Sequence, residues 1–165
     1  MNSVVRLGSL ALALVACTGS DISTGPPGTP VEITRLRADP YSFTYYSGFD
    51  TPARLVVRDP MTWQVVWLQT FRGVSPVPPV PEIDFSREVV VAVALGSHST
   101  GGYGILVESA SEADAGGINV AVRSFSPGPK CFVTDAFTQP VDLARMPRRD
   151  GPVHFVEHNE VLSCE

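Results

Sequence analysis

The sequence predicts a mainly β domain, an antiparallel β-sandwich or a partly open barrel, with one α-helix over about residues 60–72. Three observations predict it. Short runs rich in Val, Ile, Leu and aromatic residues recur along the chain, with the length and alternation of strands. Fourteen glycines and fifteen prolines among 165 residues punctuate those runs, as expected for many short elements joined by turns. One segment alone, opening at Asp59-Pro60, combines helix start signals with helical spacing. The length fits one domain able to bury its own core.

The elements follow in order. Val31–Arg37 (VEITRLR) alternates apolar and polar residues and reads as a half-buried strand, broken by Asp39-Pro40. Tyr41–Tyr46 is aromatic-rich and reads as a second strand, and Arg54–Arg58 as a third. Asp59 can cap the helix by accepting backbone N–H groups of its first turn. Pro60 suits the first helical position, and Gly73 can end the helix. Trp63, Val66, Trp67 and Phe71 share one face, and the two tryptophans read as core anchors. Val74–Pro81 (VSPVPPVP) is an extended connection. Val89–Leu95 is apolar at every position, so both of its faces should be buried. Tyr103–Ser109 and Ile118–Ser124 read as a hairpin, with Ala113–Gly117 as its turn. Val141–Met146 and Val153–Glu157 are later strands, divided by Pro147–Gly151, and Val161–Cys164 adds a short last one.

The N-terminus carries an address. Arg6 and the amino group supply a positive start, and Leu7–Val15 follows as an apolar run too short to span a bilayer. Leu14-Val15-Ala16-Cys17 resembles a bacterial lipobox, in which a small residue precedes a cysteine that is acylated, palmitate being one such chain. Residues 1–16 are therefore read as a lipoprotein signal peptide and Cys17 as the lipidated N-terminus and membrane anchor. Thr18 is not the Asp associated with inner-membrane retention, which points to the outer membrane of a Gram-negative cell envelope, facing the periplasm or the surface. Residues 17–30 form a Gly/Pro/Ser/Thr tether, and residues 31–165 a single domain.

Net charge and cysteines narrow the chemistry. A formal charge of −5 and a pI near 5.1 supply no basic face for nucleic acid. With Cys17 assigned to lipid, Cys131 and Cys164 remain in an oxidising compartment and read as a disulfide, against two unrelated buried thiols. His154-Phe-Val-Glu-His158 matches the H-x-x-E-H zinc pattern, but Gly151-Pro152 and the alternation beyond it predict a strand. Histidines four apart on a strand stand about 13 Å apart and cannot share one zinc. His98, His154 and His158 leave a Ser–His–Asp arrangement open by counting, yet no G-x-S-x-G elbow marks a nucleophile. No catalytic residue, metal or cofactor is assigned.

Several segments, in consistent order over about two-thirds of the chain (residues 54–157), resemble the PrcB C-terminal domain family. They are Leu55–Asp59 with Trp63 and Trp67, Asp84–Glu88 leading into Val89–Leu95, Ser99–Ile105, Ser126–Pro129, Thr138–Pro140 and Pro147–Val153. The resemblance expects Ser where this chain has Gly104, and residues 31–53 and the tail after Val156 stand outside it. It implies association with an exported protease and brings no catalytic residues. Thr100-Gly-Gly-Tyr103 is also similar to a loop of chagasin-type cysteine-protease inhibitors.

Three function classes follow: a non-catalytic protein-binding lipoprotein that partners or stabilises an exported protease, a chagasin-like inhibitor, and an exported hydrolase. The first is the primary reading. Its expected contact residues are Ser97, His98, Ser99, Thr100, Gly101, Gly102 and Tyr103, with Ser126, Pro127, Gly128 and Pro129 as a second loop. Two glycines there allow close backbone approach, and a Gly-rich turn with Tyr103 packed inward is the competing structural reading. An inhibitor would hold the two loops side by side at one edge. A hydrolase would need His98 or His154 beside a nucleophile in a pocket.

Overall fold

The computed structural model describes residues 28–37 and 46–164. The expected signal peptide, Cys17, most of the tether and, apart from Tyr46, the strand expected over Tyr41–Tyr46 lie outside the described residues. The elements are β1 (Pro30–Val31), β2 (Thr34–Arg35), β3 (Ala53–Val57), α1 (Pro60–Thr70), β4 (Glu88–Ala94), β5 (Gly104–Glu112), β6 (Ile118–Pro127), β7 (Val141–Pro147) and β8 (Val153–Leu162). They form two four-stranded sheets, β1-β5-β6-β8 and β2-β7-β4-β3. Neither sheet closes on itself, so the fold is a β-sandwich, not a barrel.

The uninterrupted apolar run of β4 has a direct structural cause. Val89, Val91 and Val93 face the β1-β5-β6-β8 sheet and join Val107, Val120 and Met146 in the inter-sheet core. Val90, Ala92 and Ala94 face the other way, under α1, with Trp63, Trp67 and Phe71. Helix α1 thus forms a third layer. Its cap is as expected: Asp59 accepts from the Thr62 N–H at 2.9 Å. The helix ends at Thr70, three residues before Gly73. The indole N–H groups of Trp63 and Trp67 each donate, at 2.9 Å, to the carbonyls of Pro81 and Pro78. The Pro-rich connection is therefore docked against the tryptophans.

Three expectations need correction. Residues 31–37 are not one strand, because Val31 pairs with β5 and Thr34–Arg35 with β7. The segment crosses from one sheet to the other. The last strand is one ten-residue element, β8, which absorbs Val161 and Leu162 and leaves Ser163 and Cys164 beyond it. That strand runs parallel to β6, from Ile118↔Val153 to Pro127↔Leu162, while every other strand pair is antiparallel. At the open edge, Arg54 of β3 makes a two-pronged ion pair with Glu157 of β8, at 2.7 and 2.9 Å, tying the sheets together.

Candidate functional site: the loop pole

The strand directions define two poles. At one, the β5–β6 turn (Asp114–Gly116) meets the 147–151 connection, with Gly151 packed on Gly116 and Gly117. The first described residues also arrive there, since the Glu112 N–H donates to the Thr29 carbonyl at 2.8 Å. The other pole gathers the loop after β4, the loop after β6 and the end of β8.

Residues 97–103 and 126–129 meet at this second pole. A Cβ on Gly102 would lie 3.1 Å from Pro127 Cβ and 3.0 Å from Val133 Cγ1. Gly102 has φ +87°, so glycine serves both the left-handed backbone and the close approach. Gly101 donates its N–H to the Thr134 carbonyl at 2.9 Å. His98 and Thr138 exchange backbone bonds at 2.8 and 2.9 Å, and the Thr138 hydroxyl donates to the Thr100 carbonyl. Ser97 Oγ accepts from Gln139 Nε2, which also donates to Asp50. The Gly128 N–H donates to the Leu162 carbonyl at 2.9 Å, joining the second loop to β8.

Orientation differs within the first loop. Ser97 and Ser99 are exposed, Gly101 is buried, and Tyr103 is half-buried with its ring stacked on His98, centroids 3.9 Å apart. The competing inward packing of Tyr103 is thus half realised, and its other surroundings form an open cavity of about 460 Å³ shared with Tyr46 and Phe125. Burial pulls the His98 imidazole below the usual histidine range, and its Nε2 is buried without a hydrogen-bond partner. Gly104 follows at the start of β5, where Phe125 of β6 covers it: a Cβ there would meet the Phe125 ring. The expected Ser at this position therefore needs a different placement of that ring.

The loop after β6 is held by the Cys131–Cys164 disulfide, Cα atoms 4.9 Å apart. The expected contact loop stopped at Pro129 and left out Phe132, Val133 and Phe137, while Thr138 entered only through the family resemblance. The available signal was apolar residues just after a cysteine in a loop otherwise rich in Gly, Pro and Thr.

The histidines of H-x-x-E-H lie on β8, as the alternation predicts. His158 Nδ1 is 3.4 Å from Glu108 Oε2, and His154 is exposed opposite Asn119. Among the described residues no group of three His, Cys, Asp or Glu side chains is placed to hold a metal ion.

The sandwich, its buried central strand and the joined loops are the elements that carry the family comparison. Residues 89–147 match the PrcB C-terminal family model. The PrcB C-terminal match runs from the start of β4 to the end of β7 and includes both predicted contact loops and the disulfide cysteine Cys131. It is narrower than the sequence resemblance, leaving β3, α1 and all of β8 outside. No curated protein and no solved structure gives a significant match to the chain.

Proposed function

We propose that this chain is the folded module of an exported lipoprotein, anchored through Cys17, that acts by binding another exported protein at the loop pole and not by catalysis. The observation that carries this reading is the union of the two predicted loops. Gly102 seats on Pro127, so Ser97–Tyr103 and Ser126–Pro129 form one surface. Loops on a rigid β scaffold are the usual carriers of recognition. An exported protease as the partner class is what the sequence resemblance implies, and the PrcB C-terminal match covers both loops.

A second reading, a protease inhibitor, is favoured by the same juxtaposition, since a wedge of adjacent loops at one edge is what such an inhibitor requires. The two readings part on one assay. A partner or stabiliser leaves the bound protease active, whereas an inhibitor abolishes its turnover in proportion to occupancy.

Capture of the full chain from detergent-solubilised membranes tests the surface. Ser99→Arg adds bulk and charge at an exposed position of the first loop and should abolish recovery of the partner. Gln64→Arg, on the exposed side of α1, should leave recovery intact. Both variants should melt within about 2 °C of the parent, as surface substitutions usually do. Equal recovery with all three proteins would refute the loop pole as the contact surface. Gly102 is unsuited to this test, because its positive φ and close neighbours make any side chain there a folding defect.

A further inference from the structure

Phe132 is completely exposed, at 105% relative accessibility, yet the backbone on both sides of it is pinned. On one side Cys131 is bonded to Cys164 and donates its N–H to the Gly128 carbonyl at 3.0 Å. On the other, Val133 packs at Gly102 and the Thr134 carbonyl accepts the Gly101 N–H. A loop held at both ends has little backbone freedom left to lose when its exposed aromatic ring is bound. That is the physical description of a pre-organised anchor. Phe137 (52% exposed), Val161 (66%) and Leu162 (38%) extend an apolar surface over the same pole.

We propose that Phe132 is the anchor side chain of the loop pole and inserts into an uncharged, apolar pocket of a partner protein on the aqueous side of the membrane. The inference rests on the reading of the loop pole as the contact surface and names the chemistry it takes. Charge supports an uncharged partner site: within residues 97–103, 126–140 and 161–164, Lys130 and Asp135 alone carry full charges, and beside them the Asp50 carboxylate is engaged by Gln139 and Arg72. A surface docking on anionic lipid needs a cluster of basic residues, and these segments carry one lysine.

The entry point of the chain argues the same way. Gly28 packs against the Glu112 carbonyl, at the far end of β5 from Gly104. Nine strand residues separate the poles, about 27 Å at the usual rise. Gly28, through which an anchor at Cys17 would join the domain, therefore lies at the pole opposite Phe132.

The test uses the full chain, lipidated in its own membrane, with a photo-crosslinking phenylalanine analogue placed singly at 132, 99 or 65. Position 65 lies on the exposed side of α1. The proposal expects one discrete adduct of the same mass at 132 and 99 and none at 65. Adding Phe132→Ala should lower the adduct yield at 99 about tenfold or more, with the disulfide still formed. Flotation of the unlipidated domain with phosphatidylethanolamine/phosphatidylglycerol vesicles should recover no bound protein. If Phe132→Ala leaves the adduct at 99 unchanged, the anchor is refuted while the loop-pole surface stands. Adducts at 65 with none at 99 or 132 refute both. Vesicle binding that disappears in Phe132→Ala replaces the protein partner by a bilayer and overturns the proposal.

Discussion

The Asp142 carboxylate points inward from β7 and accepts the Val107 N–H at 2.8 Å and Arg35 Nε at 3.3 Å. Val107 stands where the β5–β6 register shifts, so this N–H meets a side chain of the facing sheet at the bulge. Burial raises the pKa of Asp142, opposed by those two partners. The sign follows. The protonated acid is favoured on folding, so this contribution to stability is present at low pH and is lost as pH rises through the folded pKa. Asp142→Asn keeps a neutral acceptor for Val107 and should cost under about 1 kcal/mol, whereas Asp142→Ala strands that N–H and should cost about 2 kcal/mol in urea unfolding. His98 has the opposite sense. Its pKa is lowered by burial, so its contribution is present above about pH 6.5 and lost as pH falls through the folded value. The Tm of the parent should therefore fall more between pH 7.5 and 5.5 than that of His98→Phe, which keeps a ring against Tyr103.

At the scale of elements, α1 depends on its cap. Asp59 accepts from both the N–H and the hydroxyl of Thr62, and these bonds lower its pKa. Asp59→Ala should lower stability at pH 7, measured by chemical denaturation. This helix was legible because Asp-Pro and the 63-66-67 spacing are local signals. β3, β4, β7 and the β5–β6 hairpin were legible for the same reason: their apolar runs and turn residues lie within a few positions of one another. What stayed illegible depends on residues far apart. Nothing within Val31–Arg37 states that its two halves pair with β5 and β7, about 80 and 110 residues away. Likewise β8 lies parallel to β6 with Val153 and Phe155 packed on the inter-sheet core, a pairing that no local turn marks. At the candidate site, the glycines and serines of 97–103 were visible from composition. Phe132 was not, because its role depends on the disulfide and on contacts that fold Val133 and Thr134 onto Gly102 and Gly101.

The whole molecule has its first described residue, Gly28, at one pole and the loop surface at the other. The Cys131–Cys164 bridge fastens that surface to β8 across 33 positions. Replacing both cysteines by serine should lower stability by about 3 kcal/mol and also free the Phe132 loop, so partner recovery should fall even at temperatures where the sandwich remains folded. Intact-mass analysis of the protein from membranes should find an N-terminus at Cys17 carrying acyl chains. An N-terminus at Met1, or an unmodified cysteine, would remove the anchor from the account. The central claim is that the loop pole is where a partner protein binds. Amide hydrogen exchange on the chain alone and with its captured partner tests it most directly. The account predicts exchange slowed about tenfold or more in residues 97–103 and 126–138, with Pro60–Thr70 unchanged. Protection confined to α1 or to the free edge of β8, with those loops exchanging as before, would contradict it.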